Sequence, residues 1–100
     1  MGNLSRHLME LNERPPITMV RGVGSELWDE QGRRYVDFIQ GWAVNCLGHA
    51  PAVLTRALAA QAEQLINVGP AYFNASALSL AQRLTEASGL PKVFLPSSGV

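Results

Sequence analysis

The sequence predicts an α/β protein, on three observations made along its 100 residues. Residues 17 to 39 are rich in aromatic and β-branched side chains and are punctuated by glycines and by Asp29-Glu30-Gln31-Gly32. That is the pattern of antiparallel strands. From Pro51 the apolar residues change to steps of three and four, the period of amphipathic helices. Lys92 to Leu95 is a short apolar run leading into Pro96-Ser97-Ser98-Gly99-Val100, which reads as a buried strand entering a Ser-Gly turn.

The elements follow in chain order. Leu4, Leu8 and Leu11 stand at helical spacing within residues 5–13, and Ser5 is available as an N-cap. Pro15-Pro16 ends that segment by removing donors and disfavouring helix at the residue before, so a short lead helix is predicted. Ile17 to Arg21 reads as a strand, with Gly22 and Gly24 marking a turn or bulge. Ser25–Trp28 and Arg33–Ile39 flank Asp29-Glu30-Gln31-Gly32, predicting a hairpin with a four-residue loop in which Gly32 takes positive φ. Asp29 and Glu30, in that loop, are expected to be solvated. Asp37 is expected to hydrogen-bond backbone nearby.

Leu54, Ala57, Leu58, Ala62, Leu65 and Ile66 form one helical stripe, with Pro51 in its first turn and Gly69-Pro70 closing it. Asn74 or Ser76 caps a second helix whose stripe is Ala77, Leu80, Ala81, Leu84 and Ala87. Gly89 and then Pro91 stop it.

Composition narrows the partners. A hydrophobic share of 47% argues against intrinsic disorder. Formal net charge is zero and no basic stripe is visible, which argues against nucleic acid. The helical candidates carry Arg56, Glu63 and Arg83, so none reads as a membrane span. The first residues lack the charged-then-apolar order of a secretory signal, and Cys46, the single cysteine, permits no internal disulfide. A cytoplasmic location is the simplest expectation.

Several side chains have more than one reading. Ser97-Ser98-Gly99 after a strand is either an ordinary turn or a phosphate site at a helix N-terminus, where backbone N–H groups and hydroxyls face an anion. Trp42 is either a core aromatic beside its glycines or an indole presented to a ligand, with an apolar face and one N–H donor. Tyr72 and Phe73 either pad a core or contact a partner. His49 has a side chain suited to acid–base work, but its sequence neighbours offer no carboxylate.

The ordered run Leu27-Trp28-Asp29, Gly32, Tyr35, Asp37-Phe38, Gly41, Ala43-Val44-Asn45 and Gly48-His49 resembles the amino-terminal signature of class III pyridoxal-phosphate aminotransferases, in their acetylornithine-type branch. The resemblance implies a fold-type I transferase. Residues 1–50 would be the N-terminal segment of its small domain. Residues 51–100 would be the linking helices and first strand of the cofactor-binding large domain. It implies that Ser98, Gly99 and Val100 hold the phosphate of pyridoxal 5'-phosphate and that Trp42 lines the substrate pocket. Ser97 stands where the family usually has asparagine, and Leu95-Pro96 replace a phenylalanine and a variable residue.

The implied reaction exchanges an amino group between an N-acylated ornithine and 2-oxoglutarate, in a homodimer. Succinylornithine, 4-aminobutyrate and other ω-amino donors stand as alternatives. The resemblance makes His49 structural and assigns no catalytic residue here. The family's Schiff-base lysine and its partner aspartate have no counterpart, since Lys92 is the only lysine and precedes the apolar run. The segment therefore reads as the front quarter of an enzyme, inactive by itself. A free-standing, non-enzymatic α/β interaction module also accounts for the missing lysine, but leaves the Trp28-to-His49 pattern as coincidence.

Overall fold

A three-stranded antiparallel sheet is built from β1 (Met19–Val23), β2 (Glu26–Asp29) and β3 (Arg34–Val36), in the order β1-β2-β3. The computed structural model describes residues 4–98. Each connection is short because antiparallel neighbours need only a tight turn. β1 meets β2 with Val23 opposite Glu26, leaving Gly24-Ser25 as a two-residue loop. Gly24 thus lies in the turn that is one of its two readings, and a bulge falls instead between Met19 and Arg21, with Val20 the extra residue. Gly22 lies inside the strand instead.

The β2–β3 hairpin pairs Glu26 with Val36, Leu27 with Tyr35 and Trp28 with Arg34. Its loop has the predicted four residues but lies one position later, at 30–33, because Asp29 still belongs to the strand. The Gly32 N–H donates to Asp29 O at 3.0 Å, the Asp29 N–H donates to Arg33 O at 3.1 Å, and Gly32 takes φ 77°. A β-turn followed by a left-handed glycine is a common hairpin solution. On one face Trp28 stands opposite Arg21 and Arg34, and the Arg21 guanidinium carbon lies 3.7 Å from its ring centroid.

The chain divides into two units between Leu58 and Ala59. Helix α1 (Ala52–Ala62) begins where Pro51 O accepts from the Leu54 and Thr55 N–H groups, so Pro51 sits at the cap rather than inside the first turn. It stops at Ala62, well before Gly69-Pro70, and Leu65 and Ile66 fall outside the helix. Asn67 Oδ1 accepts from the Gly69 N–H at 2.7 Å, a local turn that competes with helix. Helix α2 (Ala75–Ser88) has the predicted ends. Asn74 is the N-cap, its Oδ1 accepting from the Ala77 N–H at 2.8 Å, and Gly89 closes the helix in the left-handed region.

Two predicted elements do not form. The lead helix reduces to a 3-10 turn, Leu4–His7, with Ser5 inside it rather than capping it. Leu8 and Leu11 are exposed, and so short a helix lacks stability without a packed face. Lys92 to Leu95 do not form the predicted strand; Phe94 is 85% exposed, and among the described residues no neighbouring strand supplies its ladder. Among the described residues no apolar side chain is fully buried, and the stripes of both helices face solvent. No helix among them is long and apolar enough to cross a membrane.

Candidate functional site

Between β3 and α1 the chain makes an uncommon excursion. Gln40, Gly41, Trp42 and Ala43 take φ 51°, 63°, 62° and 65°, a full turn in the left-handed region. Each non-glycine residue there costs about 1–2 kcal/mol relative to right-handed backbone. Three of the four residues are not glycine, so the surroundings must impose the turn. The Ala43 N–H donates to Ile39 O at 2.9 Å and the Asn45 N–H to Gln40 O at 2.9 Å, which close it. Trp42 sits on this turn, 91% exposed. It does not pack as a core residue beside its glycines. Gln40 Oε1 is buried and finds no partner among the described residues.

Asp37 anchors the start of the turn. Its Oδ1 accepts from the Ile39 N–H at 2.9 Å and the Gln40 N–H at 3.0 Å, while its Oδ2 meets His49 Nε2 at 2.6 Å. The Gln40 N–H, the His49 ring and the Ile39 N–H together hold the Asp37 carboxyl below its usual range, against the opposing effect of desolvation. Asn45 Nδ2 faces His49 Nδ1 at 3.5 Å, so the ring has a polar neighbour at each nitrogen.

His49 is fixed from its backbone side as well. It exchanges two hydrogen bonds with Gly24: His49 N–H to Gly24 O at 2.7 Å and Gly24 N–H to His49 O at 3.1 Å. A Cβ on Gly22 would lie 2.7 Å from His49 Cβ and Cγ, and one on Gly48 would lie 2.9 Å from Gly24 Cα. Glycine is required at both positions by this close approach. His49 thus lies on the β1–β2 end of the sheet.

A second carboxylate cluster corrects the sequence reading. Asp29, expected to be solvated, is 1% exposed and is the one fully buried side chain among the described residues. Its Oδ1 accepts from the Gln31 and Arg33 N–H groups at 3.0 and 2.9 Å. Its Oδ2 accepts from Arg33 Nε at 2.7 Å and the Tyr35 hydroxyl at 3.0 Å. Desolvation pushes this carboxyl upward, but the Arg33 and Tyr35 donors and the Arg33 charge outweigh it, and its pKa is lowered. Glu30, beside it, is exposed as expected.

The family model described as "Aminotransferase class-III" matches residues 8–100. The chain belongs to the class III aminotransferases. It is 53% identical over 92 residues to "Acetylornithine aminotransferase 2" of Bordetella bronchiseptica, which covers 92% of this chain and 23% of that protein. Succinylornithine transaminase of Salmonella typhimurium is 48% identical over 84 residues, 84% of this chain and 21% of that one. The solved N-acetylornithine aminotransferase of Stenotrophomonas maltophilia superposes with TM-score 0.84 at 36% identity, over 96% of this chain and 25% of that chain. The chain therefore has the fold of part of a fold-type I aminotransferase, and spans about a quarter of the length of these relatives.

The cofactor of class III aminotransferases is pyridoxal 5'-phosphate. The side chains present suit only its phosphate end. Ser98, in a bend, exposes a hydroxyl, while Gly99 and Val100 lie outside the described residues. At the aldehyde end an amine is required, and the single lysine, Lys92, is solvent-exposed. Trp42 and the Asp37–His49 pair belong to the unit ending at Leu58, and Ser98 to the other. Sequence reasoning missed the Asp37–His49 pair because the partners are twelve positions apart. The one available signal was a glycine-flanked stretch ending in Gly48-His49 beside the glycines of β1.

Proposed function

We propose that this chain contributes to an aminotransferase that moves an amino group between N-acetylornithine, or a related ω-amino donor, and 2-oxoglutarate. The observation that supports the donor is the 53% identity over 92 residues to an acetylornithine aminotransferase. The 48% identity to a succinylornithine transaminase favours N-succinylornithine as the second reading. Both donors carry an acyl group on an aliphatic chain, which suits an exposed indole with one N–H donor at Trp42. Ser98 would hold the cofactor phosphate through its hydroxyl, with Gly99 and Val100, outside the described residues, as the further phosphate-holding positions.

Bound pyridoxal phosphate supplies the carbonyl and the electron sink for amino transfer. The lysine amine that this chemistry needs is not provided by Lys92, so the 100 residues alone are inactive. The active protein is a cytoplasmic homodimer, with the exposed Tyr72–Phe73 loop as a contact between subunits. Turnover of the intact protein on N-acetylornithine, N-succinylornithine and 4-aminobutyrate tests the reading. The highest kcat/KM is expected for N-acetylornithine, and a preference for unacylated 4-aminobutyrate overturns it. Borohydride trapping of pyridoxal phosphate on Lys92 in the 100-residue chain, read by mass spectrometry, would contradict its inactivity.

A further inference from the structure

Three observations converge on the loop between β3 and α1. Four consecutive residues, Gln40 to Ala43, hold a left-handed turn that only Gly41 adopts without cost. Asp37 meets that turn with one oxygen and His49 with the other. His49 is tied to Gly24 by paired backbone hydrogen bonds and is packed directly over Gly22.

We infer that Asp37 and His49 are positioning residues that hold the left-handed turn and thereby set the direction of the Trp42 side chain. The Asp37 carboxylate is the joint. Through Oδ1 it fixes the N–H groups of Ile39 and Gln40, which enter the turn, and through Oδ2 it is tethered to a residue anchored on the sheet. Without the His49 tether the carboxylate is free to rotate, its two backbone hydrogen bonds weaken, and Gln40, Trp42 and Ala43 relax toward right-handed backbone. A change of φ sign at Trp42 swings its Cβ to another direction, so the indole leaves its place. At 18% and 12% side-chain exposure, His49 and Asp37 are sheltered enough for their hydrogen bond to persist against water. The kinetic consequence rests on the proposal above that Trp42 touches the amino donor; the orientation of Trp42 does not.

The test is made in the intact protein labelled with 5-fluorotryptophan, with the Trp42 resonance assigned by its loss in Trp42→Phe. His49→Ala is expected to shift and broaden that resonance and to raise KM for the amino donor about tenfold with kcat changed less than about twofold, as loss of a binding contact requires. His49→Gln, whose amide N–H can still donate to Asp37, is expected to restore both. Asp37→Asn, which keeps the acceptor for Ile39 and Gln40 but sets an amide N–H against His49 Nε2, is expected to shift the resonance without unfolding the loop. Asp29→Asn, a carboxylate change in the other cluster, is expected to leave Trp42 unmoved. An unchanged Trp42 resonance in both His49→Ala and Asp37→Asn overturns the inference, as does an equal shift in Asp29→Asn or failure of His49→Gln to restore it. A shifted resonance with unchanged KM supports the positioning role and removes the donor-contact reading of Trp42.

Discussion

Asp29 and Asp37 stand eight residues apart on the same hairpin, and both carboxyls are held below their usual pKa by hydrogen-bond donors. They do different work. Asp29 takes all its donors from Gln31, Arg33 and Tyr35, within six residues, and so stabilises the turn it belongs to. Asp37 takes one donor from His49, twelve positions away, and so joins a loop to the sheet. A carboxylate with only local partners makes a stiff hairpin. One with a distant partner can impose a conformation that its neighbours would not choose, and here that conformation carries Trp42.

Substitutions at glycines separate the two regions most sharply. Gly48→Ala, at φ 81° with its new Cβ 2.9 Å from Gly24 Cα, combines left-handed strain with a backbone clash. A loss of roughly 2–4 kcal/mol is expected, measured by denaturation of the intact protein. Gly22→Ala follows at roughly 1–3 kcal/mol, since the methyl group meets His49 at 2.7 Å and must displace it. Gly32→Ala, in the Asp29 turn, has positive φ but nothing within 4 Å of the new Cβ, so only the backbone cost of about 1–2 kcal/mol is expected. Equal losses for Gly48→Ala and Gly32→Ala would erase the distinction between the regions.

Ala43→Gly should act in the opposite direction, stabilising by up to about 1 kcal/mol, because glycine takes φ 65° without strain. If stability falls instead, the left-handed turn is not where strain resides. The smallest expected effect is on acid sensitivity. Both carboxyls are lowered from an ordinary value of 3.8, so their stabilisation is complete above about pH 4 and is lost as pH falls through their lowered folded values. Asp29→Asn and Asp37→Asn should each flatten the acid limb of the stability profile. The Asp37→Asn change alone should be accompanied by a change in the Trp42 signal.

What the sequence disclosed was local. The hairpin from Glu26 to Val36, its left-handed Gly32, and α2 with Asn74 and Gly89 at its ends depend on residues within a few positions of one another. Those patterns survive without tertiary context. Asp29 was misjudged because a charged residue in a turn is ordinarily solvated, and only the return of Arg33 and Tyr35 across the hairpin encloses it. The lead helix and the strand at 92–95 were misjudged for the reverse reason, since each needs a packing surface or a neighbouring strand from elsewhere. Trp42 stands out in the sequence, but nothing in its neighbours announces a left-handed turn, because the Asp37 carboxylate that meets the turn is itself held by the distant His49. Gly99 and Val100, assigned to the phosphate, lie outside the described residues, and Ser98 lies in an exposed bend.

The uncovered helix stripes have a physical meaning. Leu54, Leu58, Leu80 and Leu84 are each 40–60% exposed, alongside Phe94 at 85%. Contiguous apolar surface of this kind is the sort that proteins ordinarily keep against another surface.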